Sequence, residues 1–396
     1  MSSPFPFELT DQCVKCGLCL PHCPTYQLSQ SEGESPRGRI AIIEGLERGT
    51  LQPSAHSTAL IDHCLSCGRC ESVCPAKVRY QEMRDTHLAR RPAGPKRRRI
   101  ALLSRAPRLL ELMTLRIMQR VLRVLPARWL GQRLDRLSRP LRHARLATTP
   151  WPPRATALPS EVAAPSSTPS AAPAQLFLGC VATALESAAQ QRVAALLAQL
   201  EVPVQPSPTR GCCGALAQHA GDIDQAQQQR QVWANHRSPL VSCDSGCHAD
   251  LARSGAQVWE SCHYLHTHWP PHWVLRAPTQ PLRVALHVPC THHAADTPVH
   301  AVTDVLRRIP GIDIHPLTGL GCCGASGMHM VDDPAHARSF ARALLEDIPD
   351  AVDTVVSTNV GCRLHLRDVA ASSGRTLTVC HPLELIADAL SDTLPR

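Results

Sequence analysis

Two copies of one cysteine spacing stand at the head of this 396-residue chain. Cys13, Cys16, Cys19 and Cys23 precede Pro24; Cys64, Cys67, Cys70 and Cys74 precede Pro75. Each run reads C-x2-C-x2-C-x3-C-P, a spacing whose chemistry is thiolate ligation of a 4Fe–4S cube. Cysteines three apart in a tight turn put three thiolates on one face, matching three corners of the cube. The fourth corner needs a thiolate from another direction, and the proline after it fixes φ and turns the chain away. A zinc ribbon or a disulfide framework would also use cysteines, but zinc takes paired C-x2-C knuckles rather than a triple plus one. A tandem pair implies two clusters close enough to exchange electrons.

In two-cluster ferredoxins the fourth cysteine of each run ligates the other run's cluster. On that arrangement Cys13, Cys16, Cys19 and Cys74 hold cluster I, and Cys64, Cys67, Cys70 and Cys23 hold cluster II. The predicted first domain is thus a helical ferredoxin-like unit over residues 1–90. Between its two runs, Ser35-Pro36-Arg37-Gly38-Arg39 leads into IAIIEGLERG, an apolar-periodic helix ended by Gly49.

Nineteen cysteines might suggest a secreted scaffold, but the chain is too long for one and its cysteines fall in metal-type runs. The start, MSSPFPFELTDQ, lacks a charged-then-apolar signal, and no run of 18 apolar residues occurs. The expected setting is the reducing cytoplasm, at the inner face of the cell membrane. Charge is unevenly spread. Between Arg84 and Arg145 there are 18 Lys or Arg against three acids, a local +15, so the remainder carries −7 of the overall +8. This basic middle suits an acidic partner or anionic lipid headgroups. Nucleic acid ranks last, since no aromatic stacking platform or recognition motif accompanies the arginines. Within 91–173, the stretch from Ile100 to Leu125 reads as a helix that either packs on its own protein or presents a basic amphipathic face to a partner, and Trp151 to Pro173 as a Pro/Ala/Ser linker.

The remainder is duplicated. Cys180 and Cys290 are 110 residues apart, as are Cys212 and Cys322, Cys213 and Cys323, and Gly214 and Gly324. This defines repeats over 174–281 and 282–396. Each opens with an apolar run ending in cysteine (AQLFLGC, RVALHVPC), then a helical pattern (Leu185–Leu200, Val299–Arg308) and a second strand (VPVQP, IDIHP). A further strand-to-helix junction carries SPLVSCDSGC in one repeat and TVVSTNVGC in the other. Such alternation predicts parallel α/β sheets, with the cysteines just past strand ends, where open α/β folds bind ligands.

Each Cys-Cys-Gly doublet has an upstream cysteine 31 intervening residues away, and a downstream one after 33 (Cys247) or 38 (Cys362). Cys180, Cys212, Cys213 and Cys247, and likewise Cys290, Cys322, Cys323 and Cys362, offer four thiolates per repeat, enough for a further iron–sulfur cluster. A redox-active dithiol or buried free thiols are the alternatives. Cys243 is an extra candidate in the first repeat, matched by Thr358 or Asn359 in the second; Cys262 and Cys380 read as packing residues. Gly319-Leu320-Gly321-Cys322-Cys323-Gly324 mimics a dinucleotide fingerprint, but Thr209 replaces the first glycine in the other repeat, so the match is a by-product of the duplication. Of the 21 histidines, His287, His292 and His293 surround Cys290, and one of them is a candidate ligand or tuner of a cluster potential.

Together these features resemble the iron–sulfur subunits of bacterial glycolate oxidase. The resemblance is carried by the tandem runs, Cys23-Pro24-Thr25-Tyr26, Ser35-Pro36-Arg37-Gly38-Arg39-Ile40, Val78-Arg79-Tyr80, both Cys-Cys-Gly repeats and Asn359-Val360-Gly361-Cys362. It covers the chain outside the region near 90–173. It implies an electron-transfer subunit with no acid–base chemistry of its own. A separate FAD subunit oxidises glycolate to glyoxylate, and electrons pass on to quinone or another acceptor. Lactate-utilisation proteins, the anaerobic glycerol-3-phosphate dehydrogenase iron–sulfur subunit and heterodisulfide reductases share the repeat, so those substrates and a thiol/disulfide role are alternatives. The heterodisulfide reductase repeats end in C-x2-C, whereas these end in Cys243-x3-Cys247 and a lone Cys362.

Overall fold

A computed structural model describes residues 5–92, 94, 142–146, 173–209, 211–294 and 297–390. The predicted amphipathic stretch from Ile100 to Leu125 and the linker up to 172 lie outside the described residues.

The N-terminal unit is helical. Its main helix, Pro36–Glu47, starts where Ser35 accepts a hydrogen bond from the Gly38 N–H and Pro36 supplies a preset φ at the first position. Ala55–Asp62 begins with a reciprocal Ser54/Ser57 capping box. The apolar faces of these helices and of Tyr80–Arg90 meet in a small core of Leu9, Ile40, Ile43, Ile61, Val78 and Met83. That core sets the two cysteine runs against each other.

Beyond it lie two four-stranded parallel sheets. In the first, β1 (Gln175–Phe177), β2 (Gln205–Pro206), β3 (Leu240–Ser242) and β4 (Val258–Glu260) run in the order β2-β1-β3-β4. The second repeats this with β5 (Arg283–Leu286), β6 (Asp313–Pro316), β7 (Thr354–Val356) and β8 (Thr378–Cys380), in the order β6-β5-β7-β8. The predicted α/β class and parallel pairing are what the structure has. Details differ. The helix expected over Leu185–Leu200 is two helices, Cys180–Leu185 and Ser187–Leu197, broken at Glu186. The edge strands β4 and β8 escaped prediction.

One core runs through both repeats. The helix after β4 (Ser261–Thr267) packs on Val299–Leu306 of the second repeat, and the last helix (Pro382–Leu390) packs back on Ser187–Leu197 of the first. Leu196, Leu197 and Leu265 thereby share a cluster with Val305, Leu383 and Ile386. The break at Glu186 serves this join. Its fully buried carboxylate receives Arg363 Nε at 3.1 Å and Arg367 Nη2 at 3.0 Å, both from the second repeat. Burial alone would raise the Glu186 pKa, but the Arg367 bond and both guanidiniums bring it below the usual carboxylate value. Residues 142–146, at the end of the basic middle, belong to this unit too: Arg145 holds the buried Glu384 at 2.9 Å, and its backbone N–H donates to Leu185 O at 2.7 Å.

The N-terminal unit sits across both repeats. Arg69 donates to Leu320 O at 2.8 Å and Gly321 O at 2.7 Å, and Ser326 Oγ donates to Leu65 O at 2.9 Å. On the first repeat, Leu88 packs so closely on Gly221 that a Cβ there would lie 2.5 Å from the leucine Cβ. Arg363→Met should lower stability by about 3 kcal/mol, the low end for breaking a buried pair because Arg367 still holds Glu186. Urea denaturation at neutral pH checks this; an unchanged midpoint would remove the carboxylate as the join between repeats.

Candidate metal centres

All nineteen cysteines are free thiols, which removes the disulfide framework. Sixteen of them, every one singled out from spacing, gather in four groups of four.

The N-terminal groups line two hollows. Cys13, Cys16, Cys19 and Cys74 face one; Cys64, Cys67, Cys70 and Cys23 face the other. Each run therefore contributes three thiols to its own hollow and sends the fourth to its neighbour's. The backbone solution is the same in both. Lys15 and Gly17 in the first run, and Ser66 and Gly68 in the second, take positive φ at matching positions. This left-handed curl turns successive cysteines onto one face at a steric cost to Lys15 and Ser66.

Four thiolates at one place repel each other, and buried cations oppose that. Around the second hollow Arg39 and Arg84 are both buried. Arg39 Nη1 lies 4.0 Å from Cys23 Sγ and bonds Thr25 Oγ1 at 2.9 Å, while Arg39 also pairs with Glu34. Arg84 reaches Asp85 at 3.3 Å, but its Nε has no partner among the described residues. Burial would raise the Cys64 pKa, yet the Arg84 and Arg39 charges outweigh it and hold Cys64 below the usual thiol value. Cys70, by contrast, is pushed well up by burial and by Cys67 and Cys64. Sequence reasoning missed both arginines; the only trace was the S-P-R-G-R start of the helix.

The repeat groups form just beyond the strand ends. In the first, Cys180 Sγ and Cys212 Sγ are 3.6 Å apart, and Cys213 bridges Cys212 to Cys247. Gly214 takes positive φ and its N–H donates to Cys212 Sγ at 3.4 Å. Cys212 is drawn well below its usual pKa by Cys180 and Cys213, which are raised in turn. In the second, Cys323 Sγ and Cys362 Sγ are 2.8 Å apart, and Cys290 contacts Cys322. The first group is open to solvent at Cys180, whereas Cys322, Cys323 and Cys362 are buried. Asp244 and Asn359, at matching places, cap the helices that carry Cys247 and Cys362. Cys243 is not with its neighbours: it is buried beside Ser261 and Glu260 in the shared core. Cys262 and Cys380 lie in that same core.

The second repeat group adds a histidine. A ring nitrogen of His287 and the sulfurs of Cys323 and Cys362 lie within 4.8 Å of one another. Burial, with Arg69 and His292 nearby, pushes His287 down to about 3, so its ring is neutral. The same group meets the N-terminal unit. Burial first, and then the neighbouring charge of Cys290, raise the Cys67 pKa. Arg69, two residues after Cys67, is bonded to the carbonyls just ahead of Cys322.

All-sulfur donor sets in groups of four, on turns curled around a hollow, fit iron–sulfur clusters in the N-terminal unit. The repeat groups fit the same chemistry by donor count and burial. The chain matches the family described as a 4Fe-4S dicluster domain over residues 9–78 and the one described as a cysteine-rich domain over 174–252 and 284–367. It therefore belongs to the proteins that join a ferredoxin-type dicluster domain to a duplicated cysteine-rich domain.

Within that class it is similar to the glycolate oxidase iron–sulfur subunits. It is 27% identical over 426 aligned residues to the glycolate oxidase iron-sulfur subunit of Escherichia coli (strain K12), spanning 96% of this chain and 93% of that one. A probable glycolate oxidase iron-sulfur subunit of Bacillus subtilis (strain 168) is 42% identical over 72 residues, 18% of this chain and 16% of the relative. A dihydromethanophenazine:CoB--CoM heterodisulfide reductase subunit of Methanosarcina barkeri (strain Fusaro / DSM 804) is 30% identical over 103 residues, 22% of this chain and 25% of the relative.

Arg69→Ala should loosen the junction between Cys67 and the second repeat by about 2 kcal/mol, the scale of a hydrogen bond from a charged donor. Hydrogen exchange at the amides of 320–326 would then speed up roughly thirtyfold if local opening governs it. Unchanged exchange would separate Arg69 from the docking.

Proposed function

We propose that this chain is the electron-transfer subunit of a membrane-associated glycolate oxidase complex. Electrons come from an FAD-containing partner subunit that oxidises glycolate to glyoxylate and leave to quinone or a related acceptor. The observation that carries this reading is the docking of the second cysteine run on the second repeat, where Arg69 donates to Leu320 O and Gly321 O just ahead of Cys322. The likeness to the Escherichia coli subunit over nearly the full length supports the glycolate assignment. When bound, 4Fe–4S clusters supply one-electron transfer, at potentials that protein surroundings move over about −700 to +450 mV.

The chain's own residues have the remaining tasks. Cys13, Cys16, Cys19 and Cys74 would hold one cluster, and Cys64, Cys67, Cys70 and Cys23 the other. Cys180, Cys212, Cys213 and Cys247, with Cys290, Cys322, Cys323 and Cys362, would hold iron–sulfur groups in the repeats. Arg39 and Arg84 supply positive charge beside the second hollow, where burial removes water's screening. Arg69 fixes the approach to the second repeat. No helix among the described residues is long and apolar enough to cross a membrane, so membrane association would come through the basic middle or through partners.

Protein purified without air should be brown, with about eight iron and eight sulfide in the N-terminal unit alone. Low-temperature EPR after dithionite should show interacting cubane signals. Glycolate should produce the same reduction only when the flavin subunits are present; flavin subunits reduced by glycolate that leave the chain oxidised would overturn the role. Deleting 96–141, which spares Arg145 and its hold on Glu384, should weaken co-purification with partners or with anionic vesicles while leaving iron content intact. Undiminished association would reject the basic middle as a docking surface.

A further inference from the structure

Each repeat builds its group from four cysteines in the same order, but a residue beside those sulfurs differs in kind. The residue just past the end of β5 is His287; its counterpart 110 positions earlier is Phe177. Both point at the same place in their repeats. Phe177 clusters with Cys213 and near Cys247, while His287 meets the equivalent Cys323 and Cys362. We propose that His287 is a nitrogen ligand of the second repeat's metal group, a role with no equivalent in the first repeat. This rests on the reading that the repeat cysteines hold iron.

The ring is aimed and kept waiting. His287 is 1% exposed, and its backbone N–H donates to Val356 O at 3.0 Å, which continues the β5–β7 ladder and fixes where the side chain leaves. Nδ1 lies 3.0 Å from Ser357 Oγ. Nε2, buried with it, has no hydrogen-bond partner among the described residues. A ring nitrogen abandoned in this way is costly, and a group binding there would remove the cost. Engagement of one ring nitrogen by a polar partner while the other faces the metal is how ligating histidines are oriented.

The serine shows what the histidine changes. Ser242 stands in the first repeat where Ser357 stands in the second, but Ser242 Oγ donates to Asp244 O at 2.9 Å. With Phe177 beside it there is no imidazole to hold. Nearby histidines are committed elsewhere: His292 Nε2 meets Thr358 Oγ1 at 2.7 Å, and His381 Nδ1 accepts from Leu383 N–H at 3.1 Å. Cys243, which would have been a fifth thiol for the first group, faces the core instead. Ligand sets of the two repeats would then be four sulfurs in one and four sulfurs plus a nitrogen in the other. A neutral imidazole added to one ligand set and not to the other offers a way to make the two sites unequal.

The test uses full-length protein purified and reconstituted without air, grown with and without 15N-labelled histidine. Iron above about eight per chain establishes that the repeats are loaded. Pulsed EPR of that protein should then show a strong histidine nitrogen coupling, of the size of a directly bound imidazole. The coupling should vanish in His287→Phe, which copies the first repeat, and in His287→Cys, which replaces the nitrogen with a sulfur donor. The cubane signals of the N-terminal unit should be unchanged in both. Loaded protein with no such coupling, or a coupling that survives in the His287→Phe variant, overturns the ligand. Iron held at about eight after reconstitution overturns the loading of the repeats, and the inference with it.

Discussion

Like charges have to be held together for this fold to work. Each cysteine group concentrates sulfurs that repel once deprotonated, in places where burial weakens screening by water. Three devices oppose that repulsion. Positive-φ turns bring three thiols onto one face, the exchange of Cys23 and Cys74 locks the two runs into one unit, and Arg39 and Arg84 bring buried positive charge. The opposite pKa displacements of Cys64 and Cys70 mark where that charge reaches and where it does not.

The repeats meet the same difficulty with a different scaffold. Parallel strands end together, so their following loops converge, and an adjacent cysteine pair places two sulfurs on one loop without a long turn. Gly214 and Gly324 take positive φ at the start of the next segment. The two repeats are then made into one body by exchanged helices and by Glu186, whose two arginine partners come from the other repeat. A rigid body is what a fixed spacing between sites requires. Electron transfer depends on distance, and a hinge between repeats would make that distance variable.

Duplication produced symmetry, and specialisation broke it. The first cysteine group is open at Cys180 and lined by Phe177; the second is buried at Cys322, Cys323 and Cys362, lined by His287, and faces the N-terminal unit through Arg69. The N-terminal unit touches both repeats, but at unlike places: Leu88 and Asp85 on the first, Arg69 and Leu65 on the second. Two copies of one ancestral plan thus face different surroundings.

Much of this was legible in the residue order. Ligand spacing is local, so the turns that gather Cys13, Cys16 and Cys19 are written in consecutive residues, and an offset of 110 at four positions reveals the duplication directly. Apolar runs ending in cysteine were enough to expect parallel strands with thiols at their ends. The last strand of each repeat, β4 and β8, was not read, because no longer apolar run surrounds it to mark it out. Nor was the inward turn of Cys243, because proximity to Cys247 in the chain says nothing of which side of a strand end a side chain leaves. The docking of Arg69 ahead of Cys322, the buried arginines beside Cys64, and the closeness of His287 to Cys323 and Cys362 are decided only by how separate elements pack. Spacing along the chain specifies what can bind; the distance and charge between sites arise from contacts between residues that are hundreds of positions apart.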